Sequence, residues 1–124
     1  MHHSHQISFS IKTFRHAIQG LKTAFQEQFN FKIHFTFAFF ALLNSWFFAL
    51  STPKLLFILL AIFLVFIAEL FNSSIEYLSD ALTQDFHPLI KKAKDVAAGA
   101  VLLAAIFAII VGLVIFIPYY QTLL

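Results

Sequence analysis

Three long apolar stretches alternate with shorter polar segments along this chain. Between Lys32 and Lys54 lie 21 residues without Asp, Glu, Lys or Arg, and a second apolar stretch runs from Lys54 through Ile75. The 29 residues after Asp95 carry no charge and include VLLAAIFAIIVGLVIF. A helix needs about 20 predominantly apolar residues to cross a bilayer. The pattern therefore predicts three transmembrane helices, at about 33–51, 55–81 and 88–117.

Two prolines bound the third predicted helix. Pro88 suits the first turn of a helix, where its missing N–H does no harm. Pro118 should mark the end, because a proline cannot continue the hydrogen-bond ladder of a helix.

The segment 9–29 has the pattern of an amphipathic helix. Its apolar residues recur at steps of three and four: Ile11, Phe14, Ile18, Leu21 and Phe25. Basic and amide residues fall between them, as expected of a helix in the cytoplasmic membrane interface, where anionic headgroups attract cations. This helix is either an anchor alone or part of a site. Gly20 in its interior costs about 1 kcal/mol relative to alanine, which suggests that something approaches the backbone there.

Composition supports an integral membrane protein. Hydrophobic residues make up 60% of the 124 and charged residues 11%, whereas about a quarter of a soluble domain is charged. The net charge of +2 is too small and dispersed for a nucleic-acid partner. There is no cysteine, which excludes disulfides and thiolate-bound metals. The opening MHHSH predicts a disordered His-rich tail over 1–8, with a tag remnant or a weak metal-binding tract as alternatives. Residues 9–124 then form one domain.

Lysine and arginine near the helix ends predict the orientation. The segment before the first apolar stretch and the loop before the third hold seven of these cations, and the opposite side holds Lys54 alone. The N-terminus and the region 80–95 are therefore expected in the cytoplasm.

A polar stripe lies at the end of the second predicted span. Its members are spaced by three, four and four residues: Glu69, Asn72, Glu76 and Asp80. On a helix they occupy one arc of about 80°, bordered by Ser73. If the span starts near Leu55, Glu69 lies roughly 21 Å into a core about 30 Å thick. Glu76 is then near the interface and Asp80 beyond it.

This gradient of depth suggests phosphoryl transfer at the membrane surface. Paired carboxylates bind Mg²⁺, which usually accompanies nucleotide phosphates. A lysine such as Lys94 can neutralise charge on the transferred group, and a carboxylate can take the proton of an attacking hydroxyl. Glu69 would reach a lipid hydroxyl, while Glu76 and Asp80 would reach a nucleotide. The three glycines cannot form a Walker loop or a glycine-rich kinase loop.

Other interpretations of these residues remain. The acidic stripe could be a solvated helix end, which is the ordinary explanation for Asp80 taken alone. It could also line an ion or proton pathway, since carboxylates within a membrane often do so. Lys94 with the small residues 97–100 could be a positive-inside lysine beside a packing seam, or could bring helix three against the stripe.

The motifs ELFNSSIEYLSD and KKAKDVAAGAV, with FRHAIQGLKTAFQEQFNFKIH upstream, resemble the prokaryotic diacylglycerol kinase and undecaprenol kinase family. The similarity covers about residues 9–115. The resemblance implies an ATP- and Mg²⁺-dependent lipid kinase of the bacterial inner membrane. It also implies a homotrimer of subunits with three transmembrane helices and a surface helix. Either diacylglycerol or undecaprenol could be the substrate, and NFKIH leans toward the undecaprenol kinases.

The resemblance also implies roles for individual residues. Glu69 is the expected general base, with Asn72 and Asp80 supporting the site, and Glu76 binds the metal. Lys94 contacts the γ-phosphate and Asp95 helps to hold the nucleotide. Arg15 and Gly20 of the surface helix lie near nucleotide or lipid.

One position departs from the family pattern. Gln28 stands where the family usually has a metal-binding glutamate, and Glu27 lies beside it. An amide oxygen can coordinate Mg²⁺ but adds no negative charge. Glu27 could substitute, or the metal could bind more weakly. The departure raises an alternative function, a catalytically weak or inactive membrane scaffold of the same fold.

Overall fold

The structure is a computed structural model that describes the backbone of residues 2–124 and the side chains of residues 10–124. It is entirely helical, which confirms the predicted all-α class. The four helices are α1 (His2–Glu27), α2 (Phe29–Phe47), α3 (Thr52–Leu82) and α4 (Pro88–Leu123).

The first helix is longer than the sequence predicted. It begins at His2, so the expected tail over 1–8 corresponds, from His2 onward, to its first turns. Residues 2–19 contain no glycine or proline to end a helix, and the α-helical hydrogen bonds continue through them. At its other end, Gln28 alone separates α1 from α2, with an extended backbone at φ −100° and ψ 111°.

Helix α2 begins and ends about four residues earlier than the predicted 33–51. It ends in a Schellman motif, in which the Leu50 N–H donates to the Ser45 carbonyl and the Ala49 N–H to the Trp46 carbonyl. The motif requires a left-handed residue, and Ala49 adopts that conformation with φ 49°. Apolar periodicity continues through these residues, so it could not locate the turn.

Helices α3 and α4 form an antiparallel hairpin that carries the main core. Ile58 and Ala61 of α3 pack with Val111 and Ile115 of α4. At the end of the hairpin where α3 begins and α4 finishes, the Lys54 ammonium donates to the Tyr119 hydroxyl at 3.0 Å. The site described below lies at the opposite end of this hairpin.

Helix α4 continues through Pro118, which was expected to end it. Proline is tolerated within membrane helices when neighbouring groups hold the turn around it. Here the Tyr120 hydroxyl donates to Asn44, and the Lys54 ammonium binds Tyr119. At the start of α4 the expectation is confirmed, because the helix begins at Pro88 and His87 Nδ1 accepts the Leu89 N–H.

Two helices of the described chain, α3 and α4, are long and apolar enough to cross a membrane. Helix α2 fails this criterion because Asn30, Lys32, His34 and Asn44 interrupt its phenylalanines. The first predicted span, at about 33–51, is therefore not confirmed and stays a prediction.

Large apolar side chains cover much of the outer surface. On α1 the predicted apolar stripe is open to its surroundings, with Phe14 69% and Ile18 50% exposed. On α4, buried residues are few. Contiguous apolar surface of this extent marks contact with lipid or with other chains.

Candidate functional site

The predicted polar stripe follows α3 from the interior of the molecule to its surface. Glu69 is 3% exposed and Asn72 9%, whereas Glu76 is half-buried and Asp80 is exposed. Glu69 lies about 25 Å along α3 from Thr52, at about 1.5 Å per residue. The stripe therefore faces the interior of the molecule at its Glu69 end, which does not fit a solvated helix end there.

Two stripe residues are joined directly. The Asn72 amide donates to Glu76 Oε1 at 3.2 Å, one helical turn apart, and so fixes the direction of that carboxylate. Asp80, at the exposed end, makes no side-chain hydrogen bond to residues 10–124. Its carboxylate is free to meet a soluble ligand.

Glu69 has a partner that the sequence analysis did not select. His34 Nε2 of α2 lies 2.8 Å from Glu69 Oε1. The Glu69 side chain is 4% exposed and that of His34 22%. The sequence did contain a signal for His34, because an ionisable residue within an apolar helix is by default a candidate functional residue.

Tyr77, a second residue that the sequence analysis missed, links the predicted metal ligand Glu27 of α1 to α3. The Tyr77 hydroxyl donates to Glu27 Oε2 at 2.6 Å. Gln28 directly follows Glu27 in the chain, and Glu76 directly precedes Tyr77. The spacing of residues along one helix could not predict this contact, because the two residues lie on different helices, 50 positions apart in the sequence.

These donors fit a magnesium ion that also binds phosphate. Within residues 10–124 no three His, Cys, Asp or Glu side chains are grouped as a metal site. The donor set instead comprises the carboxylates of Glu27 and Glu76 and the amide oxygen of Gln28. Mg²⁺ is commonly held by one or two carboxylates, with substrate phosphates and water completing its shell.

The predicted phosphate-binding residues of α4 are not joined to the acidic stripe. Lys94 and Asp95 are both exposed, and Asp95 pairs with Lys91 one turn earlier on the same helix. No hydrogen bond or ion pair connects Lys94 to the stripe among the side chains that the structure describes. Gly99 does not bring the helices together either, since a Cβ there would have no neighbour within 4 Å. The antiparallel pairing nevertheless places Lys94 level with the Asp80 end of α3.

A cleft of about 610 Å³ separates α1 from α3. Gly20 lines it, opposite Ser73 and Tyr77. A Cβ at Gly20 would meet no atom within 4 Å, so packing within the chain does not require glycine there. Arg15 is exposed on α1 and does not line this cleft. Of the two α1 residues singled out from the sequence, Gly20 alone borders the described cleft.

The arrangement brings a buried carboxylate, a half-buried carboxylate with its amide partner and an open cleft to one end of the α3–α4 hairpin. A buried carboxylate can take a proton from an alcohol. The more exposed oxygens can hold a cation together with its phosphates. The geometry suits group transfer between an apolar acceptor and a soluble donor.

Comparison with known proteins points to the same chemistry. The family described as prokaryotic diacylglycerol kinase matches residues 15–116. The chain is 37% identical to an undecaprenol kinase of Bacillus subtilis over 116 residues, which is 94% of each chain. It is 44% identical to a diacylglycerol kinase of Synechocystis over 112 residues, covering 86% of this chain and 61% of that relative. A diacylglycerol kinase of Helicobacter pylori is 39% identical over 88 residues, 71% of this chain and 69% of the relative.

Proposed function

Since this chain belongs to the prokaryotic diacylglycerol kinase family and is a lipid kinase, we propose that it transfers the γ-phosphoryl group of ATP to the hydroxyl of a membrane lipid. The product is undecaprenyl phosphate or phosphatidic acid. Undecaprenol is the first candidate acceptor, because the undecaprenol kinase of Bacillus subtilis matches this chain over nearly its whole length.

The observation that carries the proposal is the burial of Glu69 at the deep end of the stripe. A carboxylate inside an apolar helix is costly unless it faces a polar partner or a cavity. Glu69 is 3% exposed and bonded to His34, while the stripe leads outward to Asp80. A general base at this depth can meet the headgroup hydroxyl of a lipid whose chains remain in the bilayer.

In the proposed reaction Glu69 accepts the hydroxyl proton as the lipid oxygen attacks the γ-phosphorus. The new O–P bond forms while the bond from phosphorus to the bridging oxygen breaks, and ADP leaves. Lys94 neutralises charge on the transferred group, and Asp80 and Asp95 hold the nucleotide. Asn72 keeps Glu76 oriented through the 3.2 Å hydrogen bond described above. Positioning and charge neutralisation supply most of the catalysis in reactions of this kind.

Glu76, Glu27 and Gln28 are the residues that would hold the magnesium ion. An ion held there would supply positive charge that stabilises the negative charge of the phosphates. Tyr77 holds Glu27 toward α3 and so keeps the ligands of α1 and α3 together. The open cleft beside Gly20 leaves room for the nucleotide or the lipid headgroup.

The proposal includes a membrane arrangement. Helices α2, α3 and α4 cross the bacterial inner membrane, and α1 lies on its cytoplasmic face with the N-terminus inside. Seven cations on that side against Lys54 on the other support this orientation. A homotrimer would cover apolar surface of α4 and could bring a second copy's groups to the site, where Lys94 has no hydrogen bond or ion pair to residues 10–124.

The decisive experiment measures phosphate transfer from labelled ATP to undecaprenol and to diacylglycerol presented in parallel in mixed micelles. We expect Glu69→Gln to lower kcat by about 10²- to 10⁴-fold, the range for loss of a general base. Glu76→Gln should raise the Mg²⁺ concentration needed for half-maximal activity.

Asp85→Asn is the matched control. Asp85 is an exposed acid in the loop between α3 and α4, outside the assigned site, so the same acid-to-amide change should leave activity unaltered. Full activity of both stripe variants would contradict the assigned roles. The preferred lipid follows from the ratio of the two kcat/KM values.

A further inference from the structure

His34 and Glu69 form a contact between α2 and α3 that none of the roles above uses. The Nε2 and Oε1 atoms are 2.8 Å apart, and this is the one side-chain hydrogen bond of Glu69 among the residues whose side chains the structure describes. The contact is largely shielded, with the carboxylate side chain 4% exposed. Hydrogen bonds to a charged group in such surroundings are stronger than those between neutral groups.

The other surroundings of His34 are apolar. The ring borders a cavity of about 110 Å³ whose remaining lining residues are all apolar, among them Phe37, Ile58, Val65 and Phe116. None of the other lining residues carries a side-chain hydrogen-bond donor. The imidazole is therefore the polar group of this wall, and Glu69 is its side-chain partner.

The chemistry of the pair assigns the donor. An ionised carboxylate only accepts hydrogen bonds, so the imidazole must carry its proton on Nε2 to bond with it. Oε1 is then occupied by the imidazole N–H. Oε2 remains as the oxygen that can accept a proton from an alcohol.

We propose that His34 is a positioning residue for the lipid kinase reaction, which fixes the Glu69 carboxylate so that Oε2 faces the lipid hydroxyl. The inference rests on the proposed role of Glu69 as general base. In the step the lipid O–H bond breaks, its proton passes to Oε2 and the lipid oxygen bonds to the γ-phosphorus. His34 itself neither gains nor loses a proton. Misplacing a catalytic group by about 1 Å can cost about 10²-fold in rate.

A purely structural role, in which the pair only ties α2 to α3, predicts different measurements. If the role is structural, every substitution that weakens the contact should lower the unfolding midpoint. Loss of positioning lowers kcat, leaves the KM for ATP unchanged and is repaired by a side chain that places an N–H at the same point. Glutamine does so, because its amide nitrogen has about the reach of Nε2.

The experiment compares His34→Ala and His34→Gln with the wild-type protein in the lipid kinase assay, at saturating and at varied ATP, and records the unfolding midpoint of each. Thr36→Ala is the control, since Thr36 is exposed on the same helix and its hydroxyl donates to the Lys32 carbonyl of that helix. We expect His34→Ala to lower kcat by about 10- to 100-fold, since a misplacement of the base by about 1 Å can cost about 10²-fold. His34→Gln should retain most of the activity, with the KM for ATP unchanged in both.

The double variant His34→Ala/Glu69→Gln tests whether the two residues act as a unit. We expect it to be no less active than Glu69→Gln alone, because residues acting through one group are not additive. Wild-type kcat in His34→Ala, or a loss that His34→Gln does not repair, would overturn the inference and leave the proposed function standing. A wild-type protein without transfer to either lipid would overturn both.

Discussion

At the scale of residues, Gln28 is the departure from the family pattern that bears most directly on the proposed metal site. An amide at this position removes one negative charge from the proposed metal ligands. The structure offers a partial replacement, because Tyr77 draws Glu27 toward α3 at 2.6 Å. Glu27 directly precedes Gln28 in the chain, so its carboxylate is the nearest charged group that could take the place of the family glutamate.

Restoring the charge should tighten metal binding. We expect Gln28→Glu to lower the Mg²⁺ concentration for half-maximal activity several-fold, because Mg²⁺ favours charged oxygen ligands. The measurement is initial rate against Mg²⁺ at fixed ATP, together with thermal stabilisation by Mg·ATP, which reports binding without turnover.

Gln26→Glu is the matched control, since Gln26 is a neighbouring exposed amide on α1. An equal shift in both variants would indicate a general effect of charge rather than a ligand at position 28. If the wild-type chain neither turns over nor binds Mg·ATP while Gln28→Glu does both, the natural sequence encodes a scaffold.

The sequence could predict the acidic stripe because one helix carries all of its members at regular spacing. It could not predict the partners that come from other helices. The contacts of Glu69 with His34 and of Glu27 with Tyr77 join residues 35 and 50 apart. Such pairs depend on how α1 and α2 lie against α3, and helical periodicity carries no information on that. The expected meeting of Lys94 with the stripe stays a prediction, since no hydrogen bond or ion pair joins them among the described side chains.

At the scale of elements, the turn between α2 and α3 shows a local conflict between sequence and fold. Ala49 holds a left-handed conformation at φ 49°, which glycine adopts freely and other L-residues adopt at a cost. The hydrogen bonds of Ala49 and Leu50 to the end of α2 hold it there. The helix end is stable because its carbonyls are satisfied, despite this strain.

Ala49→Gly should therefore stabilise the protein, by about 1 kcal/mol if it relieves the usual cost of a left-handed L-residue. The measurement is the unfolding midpoint in a titration of mixed micelles with denaturing detergent. Ala93→Gly, at an exposed position inside α4, is the matched control and should destabilise by about 1 kcal/mol. Two shifts of the same sign would contradict the account of the turn.

Helix existence and type followed from the sequence, whereas the helix ends did not. The apolar runs predicted α2, α3 and α4 as helices, and Pro88 located the start of α4. Pro118 failed as a stop signal because contacts of Tyr119 and Tyr120 with other helices hold the turn that follows it. The end of α2 depends on the left-handed conformation of Ala49, and an alanine in a sequence does not predict that conformation.

At the scale of the whole molecule, the crossing of α2 decides the topology. Helices α3 and α4 have the length and hydropathy of spans, and α2 is the shorter and more polar case. If α2 crosses the membrane, Ser10 and Ser51 lie on opposite sides of it. If α2 does not cross, they lie on the same side.

The chain contains no cysteine, so single cysteines can report this directly. We expect a membrane-impermeant maleimide to label Ser51→Cys in intact cells, and Ser10→Cys only after lysis. Gln84→Cys, in the loop between α3 and α4, is the internal control and should behave as Ser10→Cys does. Labelling of Ser10→Cys and Ser51→Cys under the same condition would rule out three crossings.

Helix α1 makes few contacts with the rest of the molecule, and this should determine the order in which activity and helical structure are lost on heating. Helix α1 is held by the buried Ala24, by the Phe25–Phe35 ring pair and by the hydrogen bond from Tyr77 to Glu27. Helices α3 and α4, by contrast, are in contact along much of their length. Segments with few buried contacts open at the lowest free energy. Circular dichroism followed alongside turnover in one heated sample should therefore show catalysis disappearing while nearly all helicity persists, and returning on cooling. Simultaneous loss of both signals would mean that α1 is anchored as firmly as the hairpin.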